Sequence, residues 1–407
     1  MPEPSIIRDA SLATVGNQKI DWVERHAPVL ARLSTSYLAD GTFRGLTIGM
    51  TIPIGPKVSF FATALKRAGA TVVVTAPDPS FVQDDAAAAL ASRGVTVYGS
   101  SAQHEEDVLP NFERVLAHRP DVVLDDRAQF VSMLLTSHKH LQAGLRGASE
   151  QTTTGVTRLA KLESENRLTF PALAANDARC KHMFDNRYGT GQSAISAIID
   201  TTNLFLGGKT VVVVGYGWVG RGVALRARGM HSDVIVTERD PVRALEAFAD
   251  GFRVMTMGAA ASIGDVFISC TGVDAVIGDA HFRVMKDNAL LANAGAVDTE
   301  VEVNQLASLA VRRHSPRRNV ESFELSDGRQ LHLLGGGRVV NVAAAEGHPV
   351  EIMDLTYAVQ AMGLYFLASR YPRLESRLYQ LPDDLDYEIA RTAARAYGVG
   401  VEGMSND

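Results

Sequence analysis

The chain has 407 residues, a formal net charge of −6 and only two cysteines. That length is enough for two domains with separate cores, and a weakly acidic balance without long charged runs gives no electrostatic case for nucleic acid or an anionic membrane. Small molecules are the expected partners. Cys180 and Cys270 lie far apart with no CxxC spacing and no histidine companion, so neither a disulfide framework nor a metal site is expected, and a reducing cytoplasm fits. The opening residues carry acids and prolines instead of a signal region, and no apolar run approaches the length of a membrane span. A cytoplasmic location is expected.

In chain order, short β-branched runs at 46–49, 71–75, 95–98 and 121–124 alternate with helical patterns such as 57–69 and 84–93. That alternation predicts a parallel sheet wrapped by helices. A second series begins near Lys209, with strands expected at 210–214, 233–237, 266–269, 289–292 and 338–342. The fold class is therefore α/β with two doubly wound parallel-sheet domains, the second a Rossmann domain. The expected boundaries are 1–188 with 349–380, then 189–348, then 381–407 as a C-terminal helix and tail. Hinges are placed near 185–191 and Gly347. The amphipathic stretch 354–368 has no sheet partners and is read as returning to the first domain. Residues 385–396 read as a final helix, and 401–407 as a frayed end.

Gly215-Tyr216-Gly217-Trp218-Val219-Gly220 follows the first strand of the second series and opens a helix. The first glycine permits the tight turn, the second lets backbone approach a pyrophosphate, and the third lets helix pack on strand. Phosphates would meet the helix N-terminus, where amide hydrogens lack partners. Glu238 ends the next strand about twenty residues on, where a carboxylate accepts hydrogen bonds from both ribose hydroxyls of NAD. Its charge would repel a 2′-phosphate, which favours NAD over NADP, with Arg239 beside it as a counterweight.

Further motifs lie outside this unit: Leu124-Asp125-Asp126, Ser149 through Gly155 (Ser-Glu-Gln-Thr-Thr-Thr-Gly), Asn176-Asp177, Phe184-Asp185-Asn186 with Tyr188-Gly189, Asp240-Pro241, Met285-Lys286-Asp287, and Asn341 through Gly347-His348-Pro349. Together they resemble the S-adenosylhomocysteine hydrolase family from about residue 20 to residue 396. The resemblance implies a substrate lobe that clamps an adenine nucleoside against an NAD lobe. Its chemistry is oxidation of the ribose 3′-hydroxyl by bound NAD, removal of the acidified C4′ proton, departure of the C5′ group, and return of the stored hydride.

By resemblance, Lys181 assists removal of the 3′-hydroxyl proton, Asp185 and Asn186 position it, and Asp126 is an acid–base group near the sugar. From the residues alone, Lys181 also reads as a surface lysine. One of Asp125 and Asp126 also reads as a helix cap, since neighbours on a strand point to opposite faces. Cofactor contacts implied by the resemblance are Gly215, Gly217, Trp218, Val219, Gly220, Glu238, Thr152, Thr153, Thr154, Asn186, Thr271, Asn293, Gly295, Asn341 and His348. Substrate contacts are Thr51, Gln83, Asp126, Gln151, Lys181, Asp185, His348 and Met353, although a methionine in an apolar helix also reads as core. A homo-oligomer, dimer or tetramer, is expected.

The chain departs from the family around C5′. It has Gly49-Met50-Thr51 for His-Met-Thr and Asn293-Ala294-Gly295-Ala296 for Asn-Ile-Gly-His, so both family histidines are absent. Gln151 replaces a glutamate, Thr190 a cysteine and Met183 a lysine; the loop 52–56 is apolar, and the family's Lys- and Tyr-containing tail is missing. These changes spare oxidation and C4′ deprotonation but remove imidazoles that commonly contribute about 10²–10⁴-fold as acid–base groups. The leading expectation is an NAD-dependent lyase or dehydratase that leaves a 4′,5′-unsaturated nucleoside, as in nucleoside antibiotic biosynthesis. Hydroxide is a poor leaving group, with a pKa of about 16 for water against about 8.5 for a thiol, so an acid must assist: Asp126, His348 or a bound water. The alternatives are a hydrolase with altered acid–base groups and a non-catalytic regulator that binds NAD and adenosine.

Overall fold

The computed structural model describes residues 4–404, which fall into two compact units: residues up to His182 together with those from Val350 onward, and Met183–Pro349. The first unit carries a seven-stranded parallel sheet. Its strands are β1 (Thr47–Thr51), β2 (Thr71–Thr75), β3 (Thr96–Tyr98), β4 (Val122–Asp125), β5 (Gly147–Glu150), β6 (Ala172–Ala174) and, late in the chain, β15 (Leu378–Tyr379). The spatial order is β15-β6-β5-β4-β1-β2-β3. From central β1 the chain winds outward one way through β2 and β3, then returns to place β4 on the other side. Neighbouring connections diverge at β1 and β4, so a crevice opens beyond their carboxyl ends. Helices cover both faces, which is why β4 is buried at every position and reads as an unbroken apolar run.

In the second unit, β7 (Thr210–Val214), β8 (Asp233–Thr237), β9 (Arg253–Val254), β10 (Val266–Ser269), β11 (Ala289–Asn293), β12 (Ala310–Arg317), β13 (Val320–Leu325) and β14 (Gln330–Leu334) form a sheet ordered β12-β13-β14-β11-β10-β7-β8-β9. Its switch point lies between β7 and β10. The strand expected at 338–342 is not there. β14 fills that place in the sheet, and Gly335, Gly336 and Gly337, with φ of 60°, 64° and 80°, turn the chain away from it. Only Val339 bridges back, to Asn293, and Val340–Ala343 forms a short helix. The antiparallel β12 and β13 escaped the sequence reading because β12 is an exposed edge rich in arginine, the kind of strand that charge protects from pairing with other chains.

Helix Val350–Arg370 belongs to the first unit, and the stretch 354–368 is not amphipathic as expected: it is apolar all round and buried on nearly all sides. The last helix, Asp383–Ala396, packs in that same unit and does not stand apart; the boundaries fall at 182/183 and 349/350 instead of 188/189 and 348/349. Of the tail read as frayed, 401–404 contains a turn and residues 405–407 lie outside those described.

Asp354 shows why the long helix is fixed in place. Its carboxylate accepts the backbone N–H groups of Val29 at 2.8 Å and Leu30 at 2.7 Å, capping helix Pro28–Ser34, whose own N-cap, Ala27, has no side chain for the task. Burial pushes the Asp354 carboxyl up to about 6, against the two amides that favour its charged form. Asp354→Ala strands both amides and is expected to cost roughly 2–4 kcal/mol of first-unit stability, read by denaturant unfolding. A raised folded pKa means this group's pH-dependent contribution is complete below the ordinary carboxylate value and lost as pH climbs toward about 6. Asp354→Asn should flatten that dependence; an unchanged profile would assign it elsewhere.

Candidate active site

Three adjacent strands, β1, β4 and β5, bring buried polar groups to the crevice of the first unit. Thr51 Oγ1, Asp126 Oδ1 and Gln151 Oε1 are all buried atoms without a hydrogen-bond partner. Such atoms cost free energy unless a ligand satisfies them, so their placement at the carboxyl ends marks a candidate binding site. Asp125 and Asp126 divide the two roles that sequence left open. Asp125 is the cap, accepting N–H groups of Gln129, Phe130 and Val131 at 2.8–3.1 Å at the start of helix Gln129–Leu135. Burial lifts it to about 7 against those bonds. Asp126 Oδ1 accepts no hydrogen bond and has the Arg127 charge beside it. Burial also raises its pKa, opposed by the charges of Arg127, whose Nε lies 3.8 Å away, and Lys181.

Glu150 braces this corner and is a residue the sequence reading passed over. It accepts N–H groups of Ala128 and Thr152, both at 2.8 Å, and the Thr152 hydroxyl at 2.8 Å. Thr152 in turn accepts Gly155 N–H as N-cap of helix Thr153–Ser164, so its hydroxyl is committed to the turn. Thr153 is exposed and Thr154 half-buried in the first turn. Gln83 precedes helix Asp84–Ser92 and lies beside Gly55. Met353 sits in the core of the first unit. Lys181 is 5 % exposed, so the surface reading fails; its Nζ donates to Asn176 Oδ1 at 3.1 Å.

The second unit holds the cofactor cradle. Gly215 has φ +96°, which L side chains rarely adopt, and a Cβ there would meet Thr271 Cγ2 at 2.9 Å. Gly217 is the N-cap of helix Trp218–Gly229, and a Cβ on it would come no nearer than 3.8 Å to any neighbour, leaving open backbone at the helix end. A Cβ on Gly220 would collide with the Gly215 carbonyl, so the third glycine allows the helix to close on its strand. Glu238 accepts Tyr216 N–H at 2.7 Å from the end of β8, which ties the carboxylate to the glycine turn. These features fit NAD: open amides for a pyrophosphate and a carboxylate for a ribose.

Around them, Asn341 donates to Ser193 Oγ at 2.9 Å while its buried Oδ1 lacks a partner, an acceptor suited to an amide N–H. Asn293 differs. Its Nδ2 donates to Val297 O and Gly337 O, and its Oδ1 accepts from Ser269 and Gly295, so the side chain is spent on shaping the loop through Gly295. Glu300, absent from the sequence reading, is fully buried and holds the loop after β10 through Thr271 N–H at 2.9 Å, Thr271 Oγ1 at 2.8 Å and Gly272 N–H at 2.7 Å. No local pattern marks it, because its partners are about 29 residues away in sequence.

A π-helical turn, His182–Gly189, carries Asp185 and half-buried Asn186. Such turns recur at functional sites. Within the second unit His348 Nδ1 lies 3.5 Å from Asp185 Oδ1, and its Nε2 is 3.1 Å from Thr190 Oγ1. Thr190, at the position of the family cysteine, thus shares His348 with Asp185. Among the described residues no helix is long and apolar enough to cross a membrane, and no cluster of three or more His, Cys, Asp or Glu side chains could hold a metal.

Comparison with known proteins agrees with this geometry. The family model described as S-adenosyl-L-homocysteine hydrolase matches residues 4–141, and the model of the same family's NAD binding domain matches residues 186–347. The adenosylhomocysteinase of Pyrococcus abyssi is 45% identical over 401 residues, 98% of this chain and 95% of that protein. The S-inosyl-L-homocysteine hydrolase of Methanococcus maripaludis is 43% identical over 401 residues, 98% of this chain and 96% of that protein. With that likeness over nearly its full length and a cradle shaped for NAD, the chain belongs to the S-adenosyl-L-homocysteine hydrolase family and is an NAD-dependent enzyme of that kind.

Proposed function

We propose that this enzyme eliminates the C5′ substituent of an adenine nucleoside, as a lyase whose leaving group is water. When bound, NAD supplies reversible oxidation of the 3′-hydroxyl, which makes the C4′ proton acidic. Lys181, held by Asn176, takes part in removing the 3′-hydroxyl proton. A base takes the C4′ proton, the C4′–H electron pair becomes the C4′=C5′ bond, the C5′–O bond breaks, and the departing oxygen takes a proton from Asp126 to leave as water, so one proton is removed for each one delivered. The observation that carries this reading is Asp126: a buried carboxyl with a raised pKa, whose Oδ1 accepts no hydrogen bond and has only the Arg127 Nε charge 3.8 Å away, is equipped to hold that proton. The net reaction is loss of water, and no oxidant is consumed.

The relatives' names favour a second reading more than this one: hydrolysis of an S-nucleosyl-homocysteine, in which water adds at C5′ before the sugar is reduced. The two readings share oxidation at C3′ and deprotonation at C4′, and they part at the group that leaves C5′. Those names also divide between adenosyl and inosyl substrates at nearly equal identity, so both bases belong in the test. What supports elimination is the pair of positions without imidazole, Gly49 and Ala296.

The deciding experiment incubates purified enzyme with adenosine, inosine or S-adenosylhomocysteine in heavy water and follows the sugar by NMR. Deuterium at C4′ of the recovered nucleoside, a product with vinylic C5′ signals and no C4′ hydrogen, and no thiol release are expected. Homocysteine release at ordinary enzymatic turnover, about 1–10³ s⁻¹, would overturn the lyase in favour of the hydrolase. Ala296→His is the clean gain-of-function variant and should raise thiol release. Gly49→His is not, because a Cβ at 49 would press within 3.0 Å of Val115 Cγ1 and 3.3 Å of Pro120. A homo-oligomer, dimer or tetramer, in the cytoplasm is part of the same proposal; sedimentation measures its size, and a monomer would reject that part.

A further inference from the structure

The turn that presents Lys181 has no cap of its own. Arg179–Lys181 opens a helical run that continues without a break through the π-helical turn His182–Gly189 into helix Thr190–Thr202, and its N-cap, Ala178, offers no side chain to the leading amides. The first N–H groups of a helix have no partner within it and need acceptors. The acceptor comes from the far end of the chain. Asp386, in the first turn of helix Asp383–Ala396, accepts Arg179 N–H at 2.8 Å and Cys180 N–H at 3.1 Å. Asp386 is 6 % exposed, and its carbonyl oxygen accepts the Cys180 thiol at 3.4 Å. Beside it, Arg179 Nη1 donates to Tyr387 Oη at 3.3 Å. Ile389 and Ala393 anchor the same helix in the first unit's core, so the clamp is rigid.

We propose that Asp386 is a positioning residue for Lys181: it fixes the turn from which the lysine reaches the sugar, and so couples the C-terminal helix to the first chemical step. This rests on the reading of Lys181 as the residue that handles the 3′-hydroxyl proton. The two backbone N–H bonds set where the turn begins, and Asn176 sets where the ammonium ends. Both constraints act on one short lever, and a shift of about 1 Å in a reacting group costs on the order of 10²-fold in rate.

The test uses full-length enzyme with bound NAD and adenosine as the probe, reading 3′-oxidation by cofactor absorbance in a single turnover. Asp386→Ala is expected to slow oxidation about 10–100-fold and to accelerate amide hydrogen exchange at Arg179 and Cys180. Asp386→Asn, which keeps one acceptor oxygen, should recover most of the rate. The decisive readout is a double-mutant cycle with Lys181→Ala: an effect exerted through the lysine shrinks to about twofold or less on that background, whereas a general loss of structure multiplies in full. Full multiplication, or an unchanged rate in Asp386→Ala, overturns the proposal. If Asp386→Ala does not fold, Asp386→Glu, which keeps a carboxylate but displaces both acceptor oxygens, enters the same cycle under the same criterion. Lys181→Ala with undiminished oxidation would instead defeat the role of Lys181, and this inference with it.

Discussion

Lys181→Ala should slow oxidation of adenosine at C3′ by about 10²–10⁴-fold while NAD remains bound. The lysine is buried in the first unit, whereas the glycine turn, Glu238 and Asn341 that cradle the cofactor all belong to the second. The loss should fall on the chemical step, because the 3′-oxygen gains negative character as its proton leaves, and a cation beside it stabilises that change. Single-turnover absorbance of the reduced cofactor measures the rate, and nucleotide content of the purified protein measures retention. Oxidation at the native rate would remove Lys181 from the chemistry; loss of bound NAD would show that it acts on the cradle.

Asp126→Asn should separate the two halves of the reaction. Oxidation and deuterium exchange at C4′ continue, and expulsion at C5′ falls by about 10²–10⁴-fold, because an amide cannot protonate the departing oxygen. The pH dependence has a definite sign. A general acid works in its protonated form, and burial sets the Asp126 pKa above the ordinary carboxylate range, so native expulsion should decline as pH rises through that elevated value. A limb that rises with pH would make Asp126 a base; C4′ exchange lost together with expulsion would place it at the earlier step. Folding follows the same linkage: Asp126's pH-dependent contribution is complete below the ordinary carboxylate value and lost as pH rises through the raised one. Asp126→Asn should flatten that contribution too.

Much of this was legible in one dimension because it is local. Thr210–Val214 and Asp233–Thr237 read as strands, and the glycine turn between them read as a phosphate loop, since β-branching, positive φ and helix-end amides act over a few residues. Val339-Val340 shows the limit: the same β-branched signal sits after three left-handed glycines, and β14 already occupies the sheet position it was given. Asp125-Asp126 shows another. Alternation says that one of the two differs from the other, but only the helix starting at Gln129 decides which becomes the cap.

The sequence by itself determined the α/β class, the NAD turn with its carboxylate, the family and the missing imidazoles at 49 and 296. Each is a matter of residue identity at short spacing. Tertiary structure alone decided which buried polar atoms remain unengaged and which acids serve as braces. Glu150 and Glu300 hold loops, Asp354 caps a helix 325 residues away in sequence, and Asp386 caps the lysine's turn from 207 residues away. A buried carboxylate must find donors wherever the fold brings them, and sequence distance carries no information about where that is.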